Sequence, residues 1–275
     1  MRVVAVATVK AVKSGWLTNP TRRARREQAF TLTDTDVEEL INRIDLIERY
    51  AKTERRYERL LRMRDKALIA MAWTFFKRAN EILRLKLKDV YWDDRYLYVT
   101  FRISKKGRRR KICPGCGHEN GVRARRCSRC GYPLTDVEPV KTRRSEAVVT
   151  KRKTLGYPFC RYIVDWVKAL KRLGADSDSW LFPRFNAREE TFELKEGKMG
   201  LSVKRFNQIL QRLDPTLTSH MFRYGAAEKL LRLGYTPFEL AEIGDWSSSM
   251  MPETYARRKG LTPTLQRFGE DTRMV

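Results

Sequence analysis

Four cysteines lie within eighteen residues and have the spacing of a metal site. Cys113 and Cys116 form one CxxC motif, Cys127 and Cys130 form a second, and a glycine follows each pair. Two such motifs can place four thiolates around one ion, and zinc is the metal that tetrahedral thiolate sites prefer. Disulfides within a CxxC motif would be strained, and nothing in the sequence points to an oxidising compartment. The spacing therefore predicts a structural Zn²⁺ ion whose coordination is filled by protein.

A second group of chemically capable side chains is spread along the chain. The sequence contains neither the GxxxxGK[ST] loop of nucleoside triphosphate sites, nor the GxGxxG turn of dinucleotide sites, nor the HExxH metal motif. Phosphodiester transesterification can run on the groups that remain, because it needs a nucleophile, cations around the non-bridging oxygens and an acid for the leaving oxygen. The residues of this group are Arg78, His220, Arg223, Trp246 and Tyr255.

The order and spacing of these residues resemble the tyrosine recombinase family, which includes phage integrases and Xer-like proteins. Arg78 opens an Arg-Ala-Asn-Glu segment similar to the family's RxSE, and His220 and Arg223 form an HxxR motif. Trp246 lies 23 residues after Arg223, where the family's LGH histidine is expected, and Tyr255 follows nine residues later. The resemblance covers about residues 60–260, apart from the cysteine segment.

The resemblance implies a role for each residue. Tyr255 would attack a phosphate of one DNA strand, which gives a 3′-phosphotyrosyl intermediate and a free 5′-hydroxyl. Arg78 and Arg223 would bind the non-bridging oxygens, where planar guanidinium groups fit best. His220 would hydrogen-bond the phosphate and help take the tyrosine proton. Trp246 departs from the commoner histidine, and its indole N–H can donate a hydrogen bond but cannot shuttle a proton.

The family also has a catalytic lysine at the tip of a β-hairpin, which protonates the departing 5′-oxygen. Lys105 ranks first because it lies in a Ser-Lys-Lys-Gly turn directly after a predicted strand. Lys106 ranks second. Lys151 ranks third, in a similar Lys-Arg-Lys-Thr segment on the other side of the cysteines.

Helices and a small antiparallel sheet are expected to position these residues. Alternating residues predict a strand over 96–103 and a returning strand over 146–153, so that the cysteine segment is an insertion in a β-hairpin. Cys160 is expected to be a small buried residue at the start of a helix. Apolar spacing predicts helices over 37–47 (after a capping box at Thr35 and Glu38), 60–75, 82–87, 159–173, 203–213 and 222–233, with another from Thr236.

The predicted fold class is mainly α with a small antiparallel β-sheet (α+β). The resemblance identifies it as the tyrosine recombinase catalytic fold with a zinc ribbon inserted in a hairpin. We predict a basic arm over residues 1–32, a catalytic domain over 33–275 and the ribbon over 112–135. Family members usually carry a separate helical DNA-binding domain before the catalytic one. Only about sixty residues precede the second predicted helix, so the arm, the ribbon or a partner would supply the missing DNA contacts.

The charge of the chain indicates a polyanionic partner. Lys plus Arg number 58 and Asp plus Glu 33, which gives a formal net charge of +25. Such a surplus suits nucleic acid, whereas a membrane surface would require an anchor that the sequence lacks. We therefore expect a cytoplasmic protein that binds double-stranded DNA and self-assembles on it as a dimer or tetramer.

The predicted function is site-specific recombination that integrates or excises a mobile or viral element. Two alternatives stay open at this stage. A type IB topoisomerase shares the chemistry but needs no paired sites, and a zinc-ribbon DNA-binding regulator could retain a relic of the recombinase site.

Overall fold

The computed structural model describes residues 32–51, 53–105, 109–141, 145–197, 199–246, 248–250 and 252–254. Most of the predicted arm, Lys106 and Tyr255 lie outside these residues. No helix in the described ranges has the length and apolar character needed to cross a lipid bilayer. The helices are α1 (Asp34–Leu46), α2 (Arg55–Phe75), α3 (Ala79–Ile82), α4 (Cys160–Arg172), α5 (Val203–Leu213), α6 (Ser219–Arg232) and α7 (Pro237–Ile243).

Helix α1 begins three residues before the predicted start at 37, and its capping box lies two residues earlier than predicted. The capping box is formed by Thr33, whose hydroxyl accepts from the Asp36 backbone N–H at 3.2 Å while the Asp36 carboxylate accepts from the Thr33 N–H at 2.8 Å. The prediction of a box at Thr35 and Glu38 is therefore wrong. Because the helix begins at Asp34, the backbone N–H groups without a helical partner lie beside Thr33 and Asp36. The predicted apolar stripe is confirmed and packs into the core.

Helix α2 passes through the core and ends at Phe75, three residues before Arg78. Its second half is buried on nearly all sides, and Phe76 stops it with a left-handed backbone at φ 38°. The short helix α3 follows. The prediction of a helix over 82–87 is wrong, because the backbone of Leu85 and Leu87 pairs with 179–181 through Leu181 N–H to Leu85 O (2.8 Å) and Leu87 N–H to Ser179 O (2.8 Å). Tertiary pairing thus overrides the local apolar spacing.

The main sheet is a three-stranded antiparallel sheet in the order β1-β2-β6. Strand β2 pairs with β6 from Tyr96 opposite Thr154 to Lys105 opposite Ser145, which confirms the predicted hairpin. Alternate residues of β2 from Leu97 to Ile103 are fully buried against the helices. The strands are β1 (Val90–Trp92), β2 (Tyr96–Lys105) and β6 (Ser145–Thr154).

The cysteine segment projects from the open end of this hairpin. Strand β3 (Arg109–Ile112) pairs with β5 (Val140–Lys141) in the same antiparallel sense as β2 with β6, and with β4 (Glu119–Asn120) on its other side. The segment has its own small core around Leu134, which is separate from the main core. The insertion in a hairpin is therefore present as predicted.

The C-terminal half supplies the remaining helices and a hairpin that the sequence did not indicate. Strands β7 (Arg184–Asn186) and β8 (Thr191–Glu193) pair with each other beside α4. Helix α6 begins at Ser219, three residues before the predicted start, and Gly234 follows its end with φ 91° as a C′ glycine. The earlier start places the HxxR motif in the first turns of this helix. Cys160 is fully buried at the start of α4, as predicted.

Candidate functional site

Arg223 is the buried centre of the site. It lies in α6 with 2% of its surface exposed, and its guanidinium donates hydrogen bonds to two backbone carbonyls. Nη1 donates to Phe76 O at 2.8 Å, and Nη2 donates to Gly244 O at 2.7 Å. The first carbonyl ends helix α2 and the second ends helix α7, so Arg223 ties together two segments that are distant in sequence.

Trp246 covers the face of this guanidinium. The Arg223 Cζ atom lies 4.0 Å from the centroid of the indole, which is a close cation–π contact. The same ring stacks on Phe76 with centroids 6.5 Å apart. A methyl group on Gly244 would overlap the Trp246 ring, so this position needs glycine for the close approach. Trp246, placed by its spacing at the position of the family's histidine, is thus in contact with Arg223.

Arg78 enters from the N-terminal end of α3. Its backbone N–H donates to the Glu81 carboxylate at 2.9 Å, and its Nη1 donates to the other carboxylate oxygen at 2.8 Å. Glu81 is buried, whereas 43% of the Arg78 side chain is exposed. The buried carboxylate therefore fixes the root of a guanidinium that still reaches the surface.

His220 stands in the first turn of α6, one turn before Arg223. The turn is anchored by the Ser219 N–H, which donates to Asn207 Oδ1 of α5 at 2.9 Å. Although solvent reaches the imidazole, partial desolvation lowers its pKa, and the charges of Arg223 and Arg78 lower that pKa further. His220 is therefore neutral at pH 7 and retains a nitrogen that can accept a proton.

The three candidate lysines are placed differently. Lys105 is the last residue of β2, at the end of the hairpin nearest the cysteine segment. Lys106 lies outside the described residues. Lys151 is on β6 opposite Val99, and its ammonium contacts Glu242 O (3.2 Å) and Asp245 Oδ1 (3.2 Å) at the end of α7.

Tyr255, the predicted nucleophile, lies outside the described residues, but the segment before it is helical at residues 252–254. Ser249 caps this turn: its hydroxyl donates to Glu253 Oε1 at 2.6 Å, and its carbonyl accepts from the Glu253 N–H at 2.8 Å. The turn begins within a few residues of Trp246 in the chain.

Two site residues were not predicted from the sequence. Lys77 follows Phe76 and is 1% exposed, and its ammonium makes an ion pair with the carboxylate of Asp245. Asp245 has a left-handed backbone at φ 53°. A charge that directly follows a long apolar run, and an acid between Gly244 and Trp246, were the available signals, but neither identifies its partner.

The four cysteines meet at one point in the inserted segment. Their Sγ atoms all lie within 4.8 Å of one another, and none forms a disulfide. Sγ of Cys113 lies 3.5 Å from that of Cys130, and Sγ of Cys116 lies 3.6 Å from that of Cys127. The glycines after each pair, Gly117 and Gly131, have φ 68° and 75°, a left-handed backbone that lets each knuckle turn tightly. The cluster is compatible with a bound metal ion.

The basic residues of the inserted segment divide into two groups. Lys111 is nearly buried and donates to Leu134 O at 2.5 Å, so it belongs to the packing of the segment. Exposed cations lie in strand β3, at Arg109, and between and within the two knuckles, at Arg123, Arg125, Arg126 and Arg129.

Comparison with known proteins gives a partial match to one family model and a fold. A family model described as the phage integrase family matches residues 134–260. The XerH site-specific recombinase bound to difH substrate in a pre-cleavage complex aligns with a TM-score of 0.51 and 14% identity, over 84% of this chain and 52% of that one. Its post-cleavage complex with palindromic difH substrate gives 0.50 and 15%, over 92% and 55%.

The Tn1549 transposon integrase in complex with circular intermediate DNA aligns with a TM-score of 0.44 and 14% identity, over 82% of this chain and 60% of that one. A search of curated protein sequences gave no match. This chain spans about half the length of the XerH chain that it matches. The predicted fold class is confirmed, with small antiparallel sheets among helices in the tyrosine recombinase catalytic fold.

Proposed function

We propose that this chain is a member of the phage integrase family of tyrosine recombinases and that it cuts and rejoins DNA strands at specific sites to integrate or excise a mobile or viral element. The observation that carries the proposal is the grouping of Arg78, His220 and Trp246 around the buried Arg223. Two guanidinium groups, a neutral imidazole and an indole N–H suit a phosphodiester whose charge grows during the reaction.

The proposed reaction is a transesterification at phosphorus. The Tyr255 oxygen attacks, the bond to the 5′-oxygen breaks, and a 3′-phosphotyrosyl bond replaces the phosphodiester. His220 accepts the tyrosine proton, since its low pKa leaves it neutral. Arg78 and Arg223 bind the non-bridging oxygens, and Trp246 donates to one of them. The new ester conserves the energy of the old one, so rejoining reverses the step without ATP.

The leaving 5′-oxygen needs a proton, which we assign to a lysine of the β2–β6 hairpin. Lys105 remains the first candidate, from its place at the end of β2. Lys106 remains the second. Lys151 remains the third. Its ammonium contacts Glu242 O and Asp245 in the turn after α7, which suits a residue that stabilises this turn.

A nicked suicide duplex carrying the attachment site of the resident element tests the proposal. Wild-type protein should leave a denaturant-resistant covalent adduct without metal or ATP, because the nick releases the 5′ fragment and prevents rejoining. Tyr255→Phe should lose the adduct and keep its affinity for DNA. The matched control is Tyr235→Phe at a tyrosine 40% exposed in the loop after α6, which should cleave normally. An adduct that survives in Tyr255→Phe would refute the assignment.

We propose double-stranded DNA as the partner, with two or four copies of the chain assembled on it. The XerH complexes were solved with a difH substrate, and the +25 net charge of this chain suits the same kind of polyanion. Recombination joins strands from two sites, so each crossover requires more than one active site.

We propose the division into a basic arm (1–32), a catalytic domain (33–275) and an inserted zinc ribbon (112–135). Four thiolates at about 2.3 Å from one Zn²⁺ would lie about 3.8 Å apart, and the separations of 3.5 Å and 3.6 Å in the cysteine cluster are close to that value. When bound, the ion would fold the ribbon and take no part in the chemistry. The exposed arginines of the ribbon are proposed to contact DNA phosphates.

A further inference from the structure

The Asp245 carboxylate lies between two lysines from different parts of the fold. Lys77, in the segment between α2 and α3, pairs with one carboxylate oxygen. Lys151, on β6, lies 3.2 Å from the other. Both ammonium groups also contact the end of α7, because Lys77 donates to Ile243 O at 3.1 Å and Lys151 donates to Glu242 O at 3.2 Å. The turn after α7 is thus held from two sides.

The backbone of the same turn builds the site. The Gly244 carbonyl accepts a hydrogen bond from Arg223, and the Trp246 ring stacks against that guanidinium. Asp245 stands between them at φ 53°, a conformation that aspartate and asparagine accept more readily than most residues. The side chain of Asp245 therefore fixes a turn in which the residues on either side of it, Gly244 and Trp246, both contact the proposed phosphate-binding Arg223.

The Asp245 carboxylate balances the charge of a buried ammonium group, that of Lys77. Its ammonium faces the rings of Phe76 and Phe101 at 5.9 Å and 5.7 Å, and 1% of its side chain is exposed. The charged groups facing it are Asp245 from the turn, Lys151 from β6 and Arg223 from α6. Burial lowers the pKa of Lys77 to about 8, and the attraction of Asp245 opposes that fall.

We propose that Asp245 is a positioning residue for strand cleavage, held in place by Lys77 and Lys151. It sets the turn so that the Trp246 indole and the Arg223 guanidinium meet the phosphate in one fixed geometry. This inference rests on the proposed function, because it assigns a residue that acts through the phosphate-binding groups.

The test is the single-turnover rate of adduct formation on the nicked duplex with Asp245→Asn. Asparagine keeps the shape and tolerates the left-handed backbone, but it removes the charge that both lysines share. We expect the rate to fall by about tenfold to a hundredfold, the loss that follows a displacement of about 1 Å at a reacting centre, with DNA affinity retained. The matched control is Asp178→Asn, which removes an exposed carboxylate that also bridges two lysines, Lys86 (3.1 Å) and Lys88 (2.8 Å), and should cleave at the wild-type rate.

The pH profile separates positioning from a general loss of stability. Lys77 is charged below about pH 8 and loses its proton above it, so the wild-type rate should decline through that range as the ion pair is lost. Asp245→Asn and Lys77→Met lack the ion pair at every pH, so their rates should not decline there. The ratio of wild-type to variant rate should therefore shrink as pH rises. A constant ratio across pH 7–9 would overturn the inference.

The outcomes distinguish this inference from the proposed function. Absence of any wild-type adduct on the attachment site would overturn the proposed function and the inference with it. A wild-type adduct matched by an equal rate in Asp245→Asn would overturn the inference alone. If Asp245→Asn does not fold, the single-turnover rate of adduct formation is measured with Lys151→Met instead. A reduced rate that a 5′-phosphorothiolate does not restore supports positioning, and an unchanged or a restored rate overturns it.

Discussion

Neutralising the exposed ribbon arginines should change how DNA binding responds to salt. The perturbation is a fourfold glutamine variant at Arg123, Arg125, Arg126 and Arg129. In the described part of the chain no carboxylate lies within ion-pair distance of these guanidinium groups, so the substitutions remove charge without breaking a contact. The four clustered cysteines and the buried Lys111 stay unchanged, which should keep the ribbon folded.

The magnitude follows from the number of phosphates that these side chains neutralise. Each phosphate contact contributes about −0.9 to the slope of log affinity against log salt, so four contacts contribute about −3.6. Raising the salt from 50 mM to 200 mM should therefore weaken DNA binding by the wild type by about two orders of magnitude more than it weakens DNA binding by the glutamine variant. Two contacts would give a slope change of about 1.8.

The assay is fluorescence anisotropy with a labelled duplex at several salt concentrations. The matched control is the fourfold lysine variant, which keeps the four charges and should keep most of the slope. A wild-type slope in a glutamine variant of unchanged zinc content would refute the argument and would assign the ribbon to protein contacts. Loss of slope in the lysine variant as well would show that the guanidinium geometry, and not the charge, is responsible.

Three further results are expected. Among Lys105→Ala, Lys106→Ala and Lys151→Ala, only the variant lacking the true acid should be rescued by a 5′-phosphorothiolate substrate, whose sulfur leaves without a proton; rescue of Lys151→Ala alone would contradict our order. Gly244→Ala should cost about 1–3 kcal/mol of unfolding free energy and impair cleavage, measured by melting and adduct rate, because its methyl group displaces Trp246. Removal of metal by a chelator should release one zinc per chain and weaken DNA binding, while the helical circular dichroism of the main core persists.

Local patterns predicted the parts of this site that are local in space. His220 and Arg223 are three residues apart on one helix, so their shared face follows from the helical repeat. The two CxxC motifs likewise determine their own geometry through short turns. The β2–β6 pairing was predicted because alternating strands flank the cysteines, although the ends of both strands extend beyond the alternating residues.

Long-range partners account for what the sequence did not show. Leu85 and Leu87 have helical spacing, but their backbone groups pair with residues about ninety positions away, and no local signal encodes that choice. The same holds for Lys77, whose buried charge is paired with Asp245 from a distant part of the chain. A lysine beside an arginine in a basic sequence otherwise resembles an ordinary exposed residue.

Arg223, proposed to bind the phosphate, is linked to the geometry of both loops beside it. Two of its N–H groups donate to Phe76 O and Gly244 O, and these carbonyls lie within two residues of Arg78 and Trp246. A shift of either loop would break a hydrogen bond to a buried cation, at a cost of about 1.5–3 kcal/mol. The hydrogen bonds of Arg223 therefore couple the loop that carries Arg78 to the turn that carries Trp246, in a structure without DNA. Such preorganisation lets the same interactions favour the transition state without reorganisation during the reaction.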